Sequence, residues 1–187
     1  MTKKKDGLPF IKPKKDYYSQ ESTRLKYVPI TAEDTQLWKA FFVNNPTERF
    51  IGFENSTKTA EEKAKFWIDR QIKKWNDGAF GQLKVLHKET DELIGIGGVS
   101  MREFDGLFEY EITYSLLPKF WGNGYATELA THFRDYMFTY AECSTVISII
   151  HHENEASINV AEKNNMSVYS KIDDYMGMKV IIFRANQ

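Results

Sequence analysis

Two glycines separated by one residue, Gly122 and Gly124, lie between a strand-like run and a helix-like run. The first turn of a helix presents unpaired backbone N–H groups and the positive end of the helix dipole, which together attract phosphate. Glycine lets a bound group approach the backbone closely. Because a short Gly-x-Gly sequence also occurs in tight turns, these residues alone allow either an anion-binding loop or a structural turn.

The surroundings of the loop separate it from the common nucleotide signatures. The Walker pattern, Gly-x4-Gly-Lys-Ser/Thr, is absent, and the dinucleotide pattern Gly-x-Gly-x-x-Gly fails at its third glycine, where Thr127 stands. A dinucleotide site also belongs at the first βα turn of a doubly wound parallel sheet, whereas three strands predicted to be antiparallel, over residues 81–87, 93–100 and 107–117, precede this loop. A dinucleotide-binding oxidoreductase is therefore disfavoured, and a loop for the pyrophosphate of an acyl-CoA fits best.

The elements that must position the loop follow from periodicity. Alternating patterns predict strands over residues 24–30, 81–87, 93–100 and 107–117, with turns at 88–92 and 104–106. Two capping boxes, at 31–34 and 59–62, open helices. The first helix carries Leu37, Trp38, Phe41 and Phe42, and the second carries Ala64, Trp67, Ile68, Ile72 and Trp75 up to the stop at 76–78. Antiparallel hairpins are therefore expected before the loop.

After Pro118 the period changes from two to 3.6, and Ala126, Leu129, Ala130, Phe133 and Met137 share one helix face. Residues 145–150 form a continuous β-branched run, which suits a strand buried on both faces and parallel to its neighbour. A short helix over 155–163, ended by 164–165, and strands over 168–170 and 179–184 follow. We predict an α/β fold: a strongly twisted, mostly antiparallel sheet with one central parallel βαβ crossover and helices on both faces.

Residues 111–128 resemble the central cofactor motif of the GNAT acetyltransferase superfamily, and most closely its ribosomal-protein N-terminal acetyltransferase branch. Asn154 to Ser157, followed by residues 161–166, is similar to a second motif of that branch. The opening at residues 24–34 and the hairpin at 90–95 match as well, so the resemblance covers about residues 24 to 184. It implies an acetyl-CoA-dependent transfer of an acetyl group to a primary amine, either a protein N-terminal α-amine or a small-molecule amine.

The resemblance also implies the cofactor-binding residues. They are Leu116, Leu117, Lys119, Trp121, Gly122, Asn123, Gly124, Tyr125, Ala126, Thr127, Asn154 and Lys163.

Four positions depart from the family pattern. Lys119 replaces the usual Gln or Arg, which keeps a donor near the pyrophosphate without a bidentate fork. Asn165 replaces a glycine, and asparagine is the next-best residue for a left-handed helix cap. Thr113 replaces a strand glycine and narrows the acceptor groove. Ala161 stands where many members carry the tyrosine that protonates the leaving thiolate, so that role needs another residue.

The implied mechanism is direct attack of the acceptor amine on the thioester carbonyl in a ternary complex, without a covalent acyl-enzyme. A backbone N–H near Leu116 would polarise the carbonyl. Glu111, with Glu109 on the same strand face, is the expected general base, and Ser157, or a water, the expected general acid. A solvated strand face explains the glutamates as well, and a helix cap explains the serine. Tyr114 is expected to contact the substrate, although aromatic residues at this spacing also suit a core.

Length and composition set the outer limits. The chain has 187 residues, 42% of them hydrophobic, and a net charge of −1, which disfavours nucleic-acid and membrane partners built on bulk positive charge. We expect a lysine-rich flexible arm over residues 1–20 and one catalytic domain over 21–187. The single Cys143 excludes an internal disulfide, and no metal is expected from the spacing of the four histidines.

Without an apolar run long enough for a signal peptide or membrane span, a cytoplasmic protein is expected, either a monomer or a homodimer. A second interpretation stays open: a non-catalytic acyl-CoA-binding regulatory module, favoured by the absence of a tyrosine at Ala161.

Overall fold

The computed structural model describes residues 11–53, 55–104, 107–141 and 143–187. The strands are β1 (Gln20–Glu21), β2 (Leu25–Val28), β3 (Gln82–His87), β4 (Leu93–Phe104), β5 (Leu107–Leu116), β6 (Thr145–His151), β7 (Ser167–Tyr175) and β8 (Met178–Asn186). The α-helices are α1 (Asp34–Trp38), α2 (Ala60–Asn76), α3 (Tyr125–Thr139) and α4 (Glu155–Lys163), and short 3-10 helices occupy Lys15–Tyr18, Lys39–Phe42, Pro46–Ile51 and Pro118–Phe120.

The strands form one sheet in the order β1-β2-β3-β4-β5-β6-β8-β7. Neighbouring strands are antiparallel except β5 and β6, which are parallel and joined through α3. The predicted mostly antiparallel sheet with one central parallel crossover is therefore confirmed. The predicted turn at residues 104–106 includes positions 105 and 106, which lie outside the described residues.

Side chains of β3 show that helices cover both faces of the sheet. Leu83 is fully buried in the core cluster that contains the apolar face of α3. On the opposite side, the Gln82 side chain accepts from the Trp67 indole of α2 at 2.8 Å, and Lys84 pairs with Asp34 of α1 at 2.7 Å. Because alternate residues of a strand face opposite sides, α3 and the α1–α2 pair lie on opposite faces.

The start of α2 follows from its predicted capping box. The Thr59 hydroxyl accepts from the Glu62 backbone N–H at 3.3 Å, and the Glu62 carboxylate accepts from the Thr59 backbone N–H at 2.7 Å. Two of the donors that a helix start leaves unpaired are thereby satisfied. The box prediction is confirmed for this helix.

The first helix differs from its prediction. The Asp34 carboxylate accepts from the Thr31 backbone N–H at 2.8 Å, but no side chain caps the helix in return. α1 ends at Trp38 and continues only as a 3-10 turn, and Leu37, one of the apolar residues of the predicted helix, is 55% exposed. The tighter 3-10 winding turns Phe41 into the core while the side chain of Leu37 stays outside.

The C-terminal hairpin is longer than predicted, because β7 and β8 each have nine residues and pair along most of their length. Asn165, which follows α4, has a φ of 56°. This is the left-handed conformation expected for an asparagine in place of the usual glycine.

The N-terminal segment packs on the domain from Ile11 onward. The Tyr17 side chain is fully buried, and its hydroxyl donates to the Gly81 carbonyl at 2.7 Å and accepts from the Val99 backbone N–H at 2.9 Å. The predicted flexible arm is therefore wrong for residues 11–20, because buried hydrogen bonds hold Tyr17 between β3 and β4. Residues 1–10 lie outside the described part of the chain.

Candidate active site

A slot opens in the sheet where β5 and β6 diverge. Among the described residues, their only registered partners are Glu111 and Ile147, supported by the Ser148 hydroxyl, which donates to the Ile112 carbonyl at 3.1 Å. Beyond this point β5 continues to pair with β4 but turns away from β6. Tyr114 and the residues after it therefore border an open space inside the sheet instead of a neighbouring strand.

The first opening, called the loop cavity, has a volume of about 350 Å³ and is lined by Gly122, Gly124, Tyr125, Ala126 and Thr127 of the glycine loop. Gly122 and Gly124 have φ values of 76° and 78°, a backbone conformation that residues with a side chain rarely adopt. No side chain caps α3, whereas Thr59 caps α2 and Asn154 caps α4. The first turn of α3 thus keeps its backbone donors available at the cavity.

The structure brings most of the predicted cofactor residues to this cavity, but not all of them. Leu116, Trp121, Asn154 and Lys163 line it together with the loop. Leu117, Asn123 and Lys119 do not line it.

Each of these three residues has another contact. Leu117 is buried in the core beside α1 and α2. The Asn123 side chain donates to the carbonyls of Phe120 and Trp121 at 3.2 and 3.1 Å and so fixes the loop. Lys119 pairs with Glu92 across the surface. The sequence could not reveal this pairing, because the two residues meet only in the folded sheet.

Arg24 is a loop residue that sequence reasoning did not single out. Its backbone N–H and its Nε donate to the Glu128 carboxylate at 2.7 and 2.8 Å, and its Nη1 donates to the Asn123 carbonyl at 3.0 Å. The guanidinium also lies 4.4 Å from the centre of the Tyr125 ring. Burial raises the pKa of Glu128, but hydrogen bonds from Ser22 and Arg24 outweigh it, so the pKa is lowered.

The second opening, called the strand cavity, has a volume of about 500 Å³ and lies along β5 toward α2. Glu111 lies in its lining, only 5% exposed, and accepts from Arg102 Nε at 2.6 Å. Thr113 also lines this cavity, and its hydroxyl accepts from Gln82 Nε2 at 2.6 Å. A carboxylate and several donors therefore share one cavity. Glu109, expected on the same face, instead forms an ion pair with Arg184.

The two cavities meet at a common wall. Phe50, Ile51, Tyr114, Ser115, Asn154 and Ser157 border both of them. The Ser157 backbone N–H donates to the Asn154 side chain at 3.2 Å, so Asn154 caps α4 and the helix-cap explanation of Ser157 agrees with the structure. The Tyr114 hydroxyl approaches the Ser157 carbonyl at 3.4 Å, and burial raises the pKa of Tyr114, which keeps the phenol protonated at neutral pH.

The 3-10 helix Pro46–Ile51 supplies part of this wall and was not predicted. Its start is marked in the sequence by Asn45 before Pro46, and the Asn45 side chain accepts from the Thr47 N–H at 3.0 Å. Arg49 pairs with Glu153 at 3.1 Å and thereby links this helix to the start of α4. The Asn-Pro sequence was the available signal.

Two further observations concern metal-binding groups and membrane-spanning helices. The described residues contain no group of three or more His, Cys, Asp and Glu side chains that could hold a metal ion. None of the helices in the described ranges combines the length and the apolar character needed to cross a membrane.

An antiparallel meander that meets a parallel strand at a splayed slot, with an uncapped helix and glycine loop beside it, defines an acyltransferase fold. Residues 24–167 match the family described as Acetyltransferase (GNAT) domain. The chain therefore belongs to this family, and it is an acetyltransferase.

Similar proteins agree with this assignment. The uncharacterized N-acetyltransferase YoaA of Bacillus subtilis (strain 168) is 27% identical over 160 residues, which cover 83% of this chain and 86% of YoaA. The uncharacterized protein YkkB of the same organism is 38% identical over 84 residues, which are 45% of this chain and about half (48%) of YkkB.

Among solved structures, RimL, a ribosomal L7/L12 alpha-N-protein acetyltransferase in complex with coenzyme A, superposes with a TM-score of 0.72 at 13% identity. The superposition covers 88% of this chain and 95% of that one. At this identity the likeness is one of fold.

Proposed function

We propose that this protein transfers an acetyl group from acetyl-CoA to a primary amine, either the α-amine of a peptide or protein or the amine of a small molecule. The meeting of the loop cavity and the strand cavity at Tyr114 and Ser157 is the observation that carries the proposal. Two reactants that enter from different openings can meet at this wall. Holding them together removes much of the entropic cost of a bimolecular reaction.

The residues of the loop cavity fit an acyl-CoA. The uncapped first turn of α3 offers backbone donors to a pyrophosphate, and Lys163 adds a positive charge in the same cavity. Leu116, Trp121, Gly122, Gly124 and the first turn of α3 would contact the cofactor, with Asn154 at the end nearest the strand cavity. Asn123, Leu117 and Lys119 would shape the loop without touching the cofactor.

The cofactor, when bound, supplies an acetyl thioester, and the chain supplies the groups around its carbonyl. The Leu117 backbone N–H donates to the Ile94 carbonyl of β4 at 2.9 Å. Because backbone groups alternate in direction along a strand, those of Leu116 face away from β4, and its carbonyl accepts from the Trp121 indole at 2.8 Å. The Leu116 N–H is therefore the donor that would polarise the carbonyl.

Proton transfer would divide between the two sides of the wall. Glu111 in the strand cavity would accept the proton of the incoming amine, directly or through water, and Arg102 holds its carboxylate in position. Ser157, or the Tyr114 hydroxyl beside its carbonyl, would return a proton to the leaving thiolate. Tyr114 thereby becomes a candidate for the role that Ala161 cannot perform.

Acetyl-CoA binding tests the loop, and two glycine variants make a matched pair. Gly122 and Gly78 both have a φ above 70°, and a Cβ added to either meets no atom within 4 Å. Gly122→Val is expected to abolish acetyl-CoA binding in a calorimetric titration, while Gly78→Val, equally strained but outside the cavity, keeps it. Equal binding by both variants contradicts the loop assignment.

Thiol release against a panel of amines tests the chemistry. Glu111→Gln is expected to lower kcat/KM by about 100-fold and to shift the pH profile. Ser157→Ala and Tyr114→Phe then identify the proton donor, because only the donor's variant slows thiol release. Full activity in both Glu111→Gln and the double Ser157/Tyr114 variant would contradict these roles.

A further inference from the structure

The lining of the strand cavity has more positive than negative side chains, although the chain as a whole is nearly neutral. Among the described residues that line it, the groups carrying full charge are four cations and one carboxylate: Lys58, Arg70, Lys74, Arg102 and Glu111. The Glu111 carboxylate is already paired with Arg102 at 2.6 Å. The remaining cations therefore face the cavity without a matching negative charge in its lining.

Lys74 is the most constrained of these cations. It lies on α2, and its ammonium Nζ donates to the hydroxyl of Ser100 on β4 at 3.0 Å. Ser100 is only 2% exposed, and no carboxylate of the described residues comes within ion-pairing distance of Lys74. Burial, with Arg102 and Arg70 nearby, lowers the pKa of Lys74 to about 8, against the opposing effect of Glu111.

A partly buried ammonium whose described partner is a neutral hydroxyl retains donors for a ligand. Hydrogen bonds from a charged donor to a carboxylate are roughly twice as strong as neutral ones, and the partial burial of Lys74 strengthens them further. A polycationic acceptor, by contrast, would meet like charges on the lining. The cavity therefore favours an anionic group on the acceptor.

Part of the remaining lining is apolar or aromatic. Phe66, Trp67, Tyr175 and Met178 border the space, and Met176 lies at its rim with 81% of its surface exposed. Such walls suit a hydrophobic body between the amine and the carboxylate, or beside them.

We propose that the acetyl acceptor is an amine that carries a carboxylate, and that Lys74 binds this carboxylate and determines acceptor specificity. The inference rests on the proposed function, since it assigns the strand cavity to the acceptor. Two sources offer the same chemistry: a free α-amino acid with an apolar side chain, or a peptide with an acidic residue next to its N-terminus.

The experiment compares matched acceptors that differ in one charge. Phenylalanine is compared with phenylalaninamide, and the amidated peptide Ser-Glu-Phe with Ser-Gln-Phe, for the wild-type protein and for Lys74→Met. Lys73→Met is the control, since Lys73 is exposed on the same helix and pairs with Asp77. For each pair, the ratio of the two kcat/KM values is compared between wild type and variant. The intrinsic difference in reactivity between the two amines is the same for both proteins and therefore cancels.

In the wild-type protein the carboxylate member of at least one pair is expected to be preferred, and Lys74→Met is expected to reduce that preference about 10- to 100-fold. Lys74→Arg should keep part of it and Lys73→Met all of it. The pair that responds identifies the source. A preference ratio that is the same in wild type and Lys74→Met overturns the inference.

A binding measurement separates this inference from the proposed function. N-acetylphenylalanine and its amide are titrated into the protein in the presence of CoA, with the acetylated forms of both peptides as a second pair. Tighter binding of a carboxylate form, lost in Lys74→Met, supports the anion site even if no acceptor is acetylated. Equal binding within both pairs overturns it even if acetyl transfer is observed.

Discussion

Arg24 lies near the beginning of the sequence but acts at the first turn of α3. Its hydrogen bonds engage Glu128, a carboxylate that would otherwise oppose an anion bound at the same helix start. A single arginine therefore both anchors the glycine loop and balances an unfavourable charge beside it.

This balance gives a prediction for cofactor affinity. Arg24→Gln is expected to weaken acetyl-CoA binding about threefold to tenfold, because the charge of Glu128 is left uncompensated near the pyrophosphate. Calorimetric titration measures the effect. The double variant Arg24→Gln/Glu128→Gln, which removes both charges, should return close to the wild-type affinity. A single variant with unchanged affinity would refute the electrostatic role.

Lys74 predicts a dependence of stability on pH. Its pKa falls from 10.5 to about 8 on folding, mainly through burial, so the unfolded chain binds more protons between these values. The charged ammonium therefore lowers stability below pH 8, and this penalty disappears as pH rises from 8 to 10.5.

Lys74→Met is accordingly expected to be more stable than wild type at pH 7, by about 1 to 2 kcal/mol because the side chain keeps some contact with water. The difference should shrink toward pH 10.5 in urea titrations. Lys73→Met, at an exposed position, should show no such trend. A gain that stays constant with pH would contradict the desolvation argument.

The candidate site could be predicted only in part from single positions. Gly122, Gly124, Tyr114 and Ser157 are recognisable because they lie in two compact motifs. The pairing of Glu111 with Arg102 is not, since it depends on the register between β4 and β5. The charge of the strand cavity is hidden in part for the same reason: Lys58, Arg70 and Lys74 lie in or next to α2, but Arg102 reaches the cavity from β4 only in the folded sheet.

The α-helices differ in how far the local sequence determines where they begin and end. α2 begins at a complete capping box, and its prediction from sequence was correct. α3 begins at Gly124 without any side-chain cap, at the place where we propose that a ligand supplies the missing partner. α1 ends early, at Trp38, and the 3-10 turn that follows places Phe41 in the same core cluster as Trp38, with the two rings stacked at 4.5 Å.

The cap of α2 can be tested by itself. Thr59→Ala is expected to lower the free energy of unfolding by about 1 kcal/mol, since the Glu62 N–H loses its partner and the reciprocal bond loosens. Urea titration provides the measurement. Thr139→Ala, at the exposed end of α3, is a matched control that should not destabilise. Comparable losses at both sites would argue against the capping contribution.

The sequence predicted most strands and all four α-helices, although α1 is shorter than predicted, because most of these elements bury one face along their length. The 3-10 helix Pro46–Ile51 and the docking of residues 11–20 escaped prediction. Neither has a periodic pattern, and both depend on contacts with distant parts of the chain, such as Arg49 with Glu153 and Tyr17 with Gly81.

For the domain as a unit, the N-terminal segment is part of the core. Tyr17 contacts Phe80 edge to face with ring centres 4.9 Å apart, and also packs against Phe133 and Tyr136 of α3. A domain boundary after residue 20 would therefore remove a buried aromatic residue from between the sheet and a helix.

Tyr17→Phe isolates the hydroxyl from the ring. It leaves the Gly81 carbonyl and the Val99 N–H without their buried partner, and is expected to lower the free energy of unfolding by about 1 to 3 kcal/mol. Thermal and urea unfolding measure this loss. Tyr169→Phe, at a 57% exposed position, should be nearly neutral. Equal stability of both variants would indicate that water replaces the buried bonds.

Among the described residues, Glu111 and Ile147 are the one registered pair that joins β5 to β6, and this joint also bears on how the chain folds. It joins two antiparallel blocks, β1 to β5 and β6 with β8 and β7, whose internal pairings do not need the joint. Closing it requires ordering the crossover through α3, which delays non-local pairing. We expect this joint between β5 and β6 to form last and to open first. Backbone amides along it should therefore exchange hydrogen fastest within the sheet. A ligand that spans both cavities would hold the two blocks of strands together at the joint between β5 and β6 and slow unfolding.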